Sequence, residues 1–93
     1  MDLTLFVAEF IGTFILISSI LITGNPLYIA AAFLAAITII GGISGGHINP
    51  AVSLVMFVNG TITMNKLLNY IPAQILGALS AYYLYKNINK SSS

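Results

Sequence analysis

The chain has no cysteine, which excludes disulfides and thiolate chemistry and leaves the redox compartment unmarked. Charge is nearly as scarce. Five charged side chains, Asp2, Glu9, Lys66, Lys86 and Lys90, serve 93 residues. So few could not cover even a small globule, which would expose one continuous apolar patch, and a water-soluble domain is therefore excluded. The formal net charge is +1 with no basic cluster, so nucleic acid finds nothing to grip. One histidine and two acids, far apart in sequence, give no ground for a metal site or an acid–base pair. Nothing resembles a nucleotide-binding loop or a relay of ionisable groups for proton coupling, so neither a cofactor nor enzymatic activity is expected. What the chain has is apolar surface: 58% of its residues are hydrophobic and its mean hydropathy is +1.00, far outside the soluble range. The expected solvent is a lipid bilayer, and the expected location is integral and multi-pass. A chain this short supplies at most about four spans of ~20 residues, in one compact domain.

The first apolar run, Leu3 to Thr23, has 21 residues and reaches about 31 Å, enough to cross the hydrocarbon core. A signal peptide is the alternative. It fits less well, because no basic segment precedes the run, the run is long, and Glu9 sits inside it. Asn25-Pro26 marks a turn, with Pro26 suited to the first turn of the next helix. The second span is read as 27–43, which reaches about 25 Å. Gly41, Gly42, Gly45 and Gly46 follow closely, and at about 1 kcal/mol each relative to alanine they predict that the backbone leaves regular structure there. Asn49 reads as a helix N-cap and Pro50 as the first helical residue. That helix ends near Asn59-Gly60. Covering 49–58, it is about 15 Å long, half a bilayer, and its apolar body does not suit a water-facing loop. A re-entrant half-helix is predicted. The third span is read as 67–85, with Tyr82, Tyr83 and Tyr85 at its far end, at the same interface as Tyr28 if the spans alternate. The expected fold is an all-α membrane protein of three transmembrane helices and one re-entrant half-helix within residues 1–85, followed by a polar tail, 86–93, without regular structure.

Three motifs resemble the first repeat of the aquaporin and glycerol-facilitator family, the major intrinsic proteins. They are Ala8-Glu9-Phe10-Ile11-Gly12-Thr13-Phe14, Ser44-Gly45-Gly46-His47-Ile48-Asn49-Pro50-Ala51-Val52, and Gln74-Ile75-Leu76-Gly77-Ala78. The resemblance, in order and spacing, covers essentially the whole chain and implies half of the aquaporin fold. The resemblance implies a pore bordered by Asn49, by the backbone carbonyls of Gly45, Gly46 and His47, and by Ile29. The half-helix motif is Asn49, Pro50 and Ala51. The Asn49 amide and the half-helix N-terminus would donate to a passing water oxygen, with the helix dipole repelling protons and cations. The plainer alternatives are that Asn49 only caps its helix and that the glycines are only a hinge. Glu9 would brace the re-entrant loop through backbone N–H groups, with Gln74 in support; otherwise Glu9 merely snorkels. For His47, structural hydrogen bonding is favoured over catalysis or metal binding. The small residues Ala73, Gly77 and Ala81, four apart, together with Gly12, are expected at close helix contacts.

Family members carry two such repeats in opposite orientation, whereas this sequence shows one. The irregular backbone at membrane depth cannot be left uncovered, because unpaired N–H and C=O groups there cost several kcal/mol each. A second half is therefore expected as partner, either another copy in antiparallel orientation or a different chain. Lys66 and the amino terminus fall on one side of the membrane and Lys86 and Lys90 on the other, a small bias that permits insertion either way. The family's aromatic constriction position falls at Ile29, and the position after Asn-Pro-Ala is Val52. The implied pore is wider and more apolar than a strict water channel, with glycerol and urea as candidate solutes besides water. The alternative function is a non-conducting fragment that binds or regulates a full-length aquaporin or needs a separate second repeat; a decayed remnant is a third.

Overall fold

Side-chain caps and a glycine stop set the first two helices. In the computed structural model, which describes residues 2–92 and side chains as far as Asn89, Asp2 accepts from Thr4 N and Leu5 N at 2.9 and 3.3 Å and starts α1, Leu3–Thr23. Gly24, at φ 55°, ends it in the left-handed conformation, which costs glycine nothing. Asn25 caps α2, Pro26–Ser44, in the same way, with Pro26 at its first position. The chain then leaves helical geometry until Asn49 caps α3, Pro50–Val58. A turn through Gly60, at φ 83°, leads to α4, Met64–Ser92.

The protein is all-α among the described residues. Both α1 and α2 are long and apolar enough to cross a membrane. In α4, 29 residues long, Asn69, Pro72, Gln74 and the tyrosines dilute the apolar run. The nine residues of α3 reach about 14 Å.

Helix α1 is the centre of the packing, with α2 on one side and α4 on the other, while α3 lies against α4. Close approach depends on missing side chains. A Cβ on Gly77 would stand 2.5 Å from the carbonyl oxygen of Phe10, so α4 meets the α1 backbone directly there; Ala73 and Ala81, one turn to either side, are fully buried. Gly12 leaves the space that Ile40 and Ile48 fill. One apolar cluster joins Ala8, Ala36, Ile40 and Ile48, and a second joins Ile62, Leu67 and Tyr70 beneath α3. The outward faces stay apolar: Leu27, Leu34, Ile39 and Leu68 are all more than 60% exposed, a surface made for lipid or protein rather than water.

Two expectations from sequence need correction. Gly41 and Gly42 do not interrupt α2, which continues to Ser44. Where no water competes for backbone groups, leaving the helix costs more than the glycine entropy. The break comes instead where positive φ is required, at Gly45 (92°), Gly46 (66°) and Ile48 (59°). Residues 86–92, expected to lack regular structure, continue α4, and the helix also begins earlier than the predicted span, at Met64.

Candidate functional site

Between Ser44 and Pro50 the chain crosses from α2 to α3 with three residues at positive φ, and its freed amides need partners. Glu9, fully buried on α1, provides them. Its Oε1 accepts from Ile48 N at 2.7 Å and from Gln74 Nε2 at 2.8 Å. Its Oε2 accepts from His47 N at 3.1 Å and from the Ser44 hydroxyl. Four donors face this carboxylate, so that both of its oxygens act as acceptors. One side chain thus ties α1, the end of α2, the irregular segment and α4 together.

A second layer fixes the first. Gln74 Nε2 also donates to Ser53 Oγ at 2.9 Å, and Ser53 Oγ lies 2.9 Å from His47 Nδ1. Ser53 Oγ, already accepting from Gln74, can still donate to Nδ1 or accept from it, according to the histidine tautomer. The Tyr70 hydroxyl donates to the Ser44 carbonyl at 2.8 Å, satisfying an acceptor at the end of α2, and its ring stands edge-on to the His47 imidazole at 4.9 Å. Gln74 Oε1 is buried without a partner.

Of the residues marked in the sequence, Glu9, His47 and Gln74 come together in this buried cluster. Gly45 and Asn49 stand outside it and are exposed, with Gly46 half-buried between them. Asn49 Oδ1 accepts from Ala51 N at 2.7 Å, which caps α3, and no described hydrogen bond uses its Nδ2. Pro50 and Ala51 open α3 and are exposed, as is Val52 in the next position; Ile29 is half-buried in the first turn of α2. The sequence reading did not single out Ser44, Ser53 or Tyr70 as site residues. Ser53 carried one usable signal, a hydroxyl one turn after the Asn49 cap in an otherwise apolar helix.

The family model for the major intrinsic proteins matches residues 2–93. Glycerol uptake facilitator protein-like 6 of Lactiplantibacillus plantarum is 44% identical over 85 residues, covering 82% of this chain and 39% of that protein. Aquaporin Z of Brucella melitensis is 45% identical over 89 residues, covering 80% of this chain and 39% of its own length. Human Aquaporin-9 is 43% identical over 86 residues, with 76% of this chain and 29% of its own length covered. The chain therefore spans about two fifths or less of the length of these relatives. No solved structure matches it. Membrane-length apolar helices and these matches make it an integral membrane protein. The chain belongs to the major intrinsic protein family, whose members are channels rather than enzymes.

Proposed function

We propose that the chain is one half of a passive channel for water and small neutral solutes such as glycerol and urea, completed by a second half-unit. In this reading α1, α2 and the body of α4 are three transmembrane helices, and α3 is a re-entrant half-helix whose Asn49 end lies near the bilayer midplane. The membrane domain covers 1–85. Gly45, Gly46, His47, Asn49 and Ile29 border the conduit, Asn49-Pro50-Ala51 forms its tip, and Glu9 and Gln74 hold the loop in place.

The observation that carries this reading is the Glu9 cluster. The amides of His47 and Ile48 are spent on Glu9 on the inner side of the break, while the Asn49 end of α3 is left facing outward, with its Nδ2 and the helix N-terminus available to a solute oxygen. The outer face of α3 is also uncovered, with Leu54, Val55 and Val58 exposed, and α4 is the helix it packs on. A second copy, inserted the opposite way, would meet that face with its own and close a two-fold conduit. Flow would be bidirectional and uncoupled.

Osmotic swelling of liposomes containing the purified chain tests this. Permeability to water and glycerol above that of empty liposomes is expected. The length of the relatives favours one further reading, in which the mate is a distinct second-repeat chain or a full-length family member that this chain binds or regulates. In that case the purified chain gives no flux alone and gains it only when the partner is added.

A further inference from the structure

We infer that the cleft between the start of α1 and the start of α4 is a binding site for a zwitterionic phosphoethanolamine headgroup, supplied by membrane lipid. This goes beyond the channel reading and depends only on α1 crossing the bilayer. The cleft measures about 640 Å³ and is lined by Asp2, Leu5, Thr63, Asn65, Lys66 and Asn69, with Leu68 at its edge. Because α1 begins at Leu3 and is long enough to span, Asp2 and the residues beside it lie at the headgroup level.

The two ends of the cleft differ in chemistry. At one, the first turn of the 29-residue α4 presents backbone N–H groups. Thr63 Oγ1 caps that of Lys66 at 3.2 Å, which leaves those of Met64 and Asn65 for a ligand. With the helix dipole and the Lys66 ammonium, this end suits a phosphate. At the other end are acceptors. Asp2 uses Oδ1 to cap α1, leaving its second carboxylate oxygen free of that duty. Asn69, only 4% exposed, donates its Nδ2 to the Asp2 carbonyl at 2.9 Å, while its Oδ1 is buried with no partner. A hydrogen-bond donor is what that oxygen lacks, and an ammonium supplies one where a fully ionised oxyanion would not.

A headgroup that carries both a phosphate and a primary ammonium answers the chemistry of both ends; a choline headgroup carries no N–H and does not. The apolar side favours a lipid as its source, since Leu5 and the 63% exposed Leu68 offer an acyl chain a path into the bilayer beside the polar end.

Native mass spectrometry of the full chain in detergent, with phosphatidylethanolamine and phosphatidylcholine added in competition, tests the site. Preference for phosphatidylethanolamine on the order of tenfold is expected, the value of one charge-assisted hydrogen bond. Asp2→Asn keeps the α1 cap but removes the charge, and should erase most of the preference. Lys66→Gln should weaken both lipids, because both carry the phosphate. Free phosphoethanolamine at millimolar concentration identifies the source: failure to displace the lipid supports the lipid assignment, and displacement shows that the headgroup chemistry alone suffices. Equal retention of the two lipids by the unchanged, fully helical chain, a preference that survives Asp2→Asn, or unchanged retention of both lipids by Lys66→Gln would overturn the proposal. None of these outcomes depends on solute flux, so a failed channel reading would be visible separately.

Discussion

A carboxylate within a membrane helix is tolerable only if its lone pairs are met, and Glu9 meets them with four donors drawn from three other parts of the chain. Replacing it by glutamine keeps the shape but turns one acceptor oxygen into an NH₂ group that faces donors. Glu9→Gln should cost about 3 kcal/mol, the range for losing charge-assisted hydrogen bonds and leaving buried donors unmet, and chemical denaturation in detergent reads that loss. Asn49 allows a cleaner substitution. Its Oδ1 caps Ala51 N, a duty aspartate performs equally well, so Asn49→Asp keeps the cap while replacing the Nδ2 donor at the tip with a negatively charged acceptor. In a conducting assembly it should admit cations, seen as a conductance in planar bilayers; unchanged ion exclusion would remove Asn49 from the conduit. Glu9 stood out in the sequence as an acid within an apolar run and Asn49 as a helix cap, while His47 and Gln74 were marked by the family motifs that hold them. The sequence did not mark Ser44, Ser53 and Tyr70, because hydroxyls occur freely in membrane helices and only the folded contacts show what they bind.

At the scale of elements, the apolar runs of α1 and α2 and the turn at Asn25-Pro26 were legible to within a residue, whereas the Asp2 cap and the Gly24 stop emerged only from the structure. The glycine cluster misled because composition does not separate a glycine needed for close packing or for positive φ from one that simply sits in a helix. Two glycines make the distinction measurable. Gly42 is helical with open space around it, whereas a Cβ on Gly77 would meet the Phe10 carbonyl at 2.5 Å. Gly42→Ala should therefore be neutral or stabilising by up to about 1 kcal/mol. Gly77→Ala should force α1 and α4 apart and destabilise by roughly 1–3 kcal/mol. Paired unfolding measurements in one detergent check both signs. The extension of α4 past Tyr85 was not legible because residues 86–93 carry no apolar pattern, and a helix already running in α4 continues without needing one.

For the whole molecule, the proposed channel turns on what covers the outer face of α3 and on which way the chain inserts. Lysines at one end of the spans number one and at the other two, too small an asymmetry to fix orientation. The antiparallel pair requires both orientations in one membrane. Tags on the two termini should each be found on both sides, and a uniform orientation would exclude a homodimeric conduit while leaving a heterologous mate possible. The sequence raised the expectation of a mate, through a glycine-rich segment expected at membrane depth; its identity was not legible, because a single chain carries only its own half of an interface.

The absence of cysteine makes the central claim directly measurable, since one introduced thiol reports without background. Val52 lies exposed in the first turn of α3, and Leu34 lies exposed in the middle of α2. If the α3 tip borders a water-filled path at mid-membrane, Val52→Cys in liposomes reacts readily with a small, membrane-impermeant thiol reagent while Leu34→Cys stays inert. Equal inertness of the two thiols would mean that no aqueous path reaches the tip, and would contradict the account.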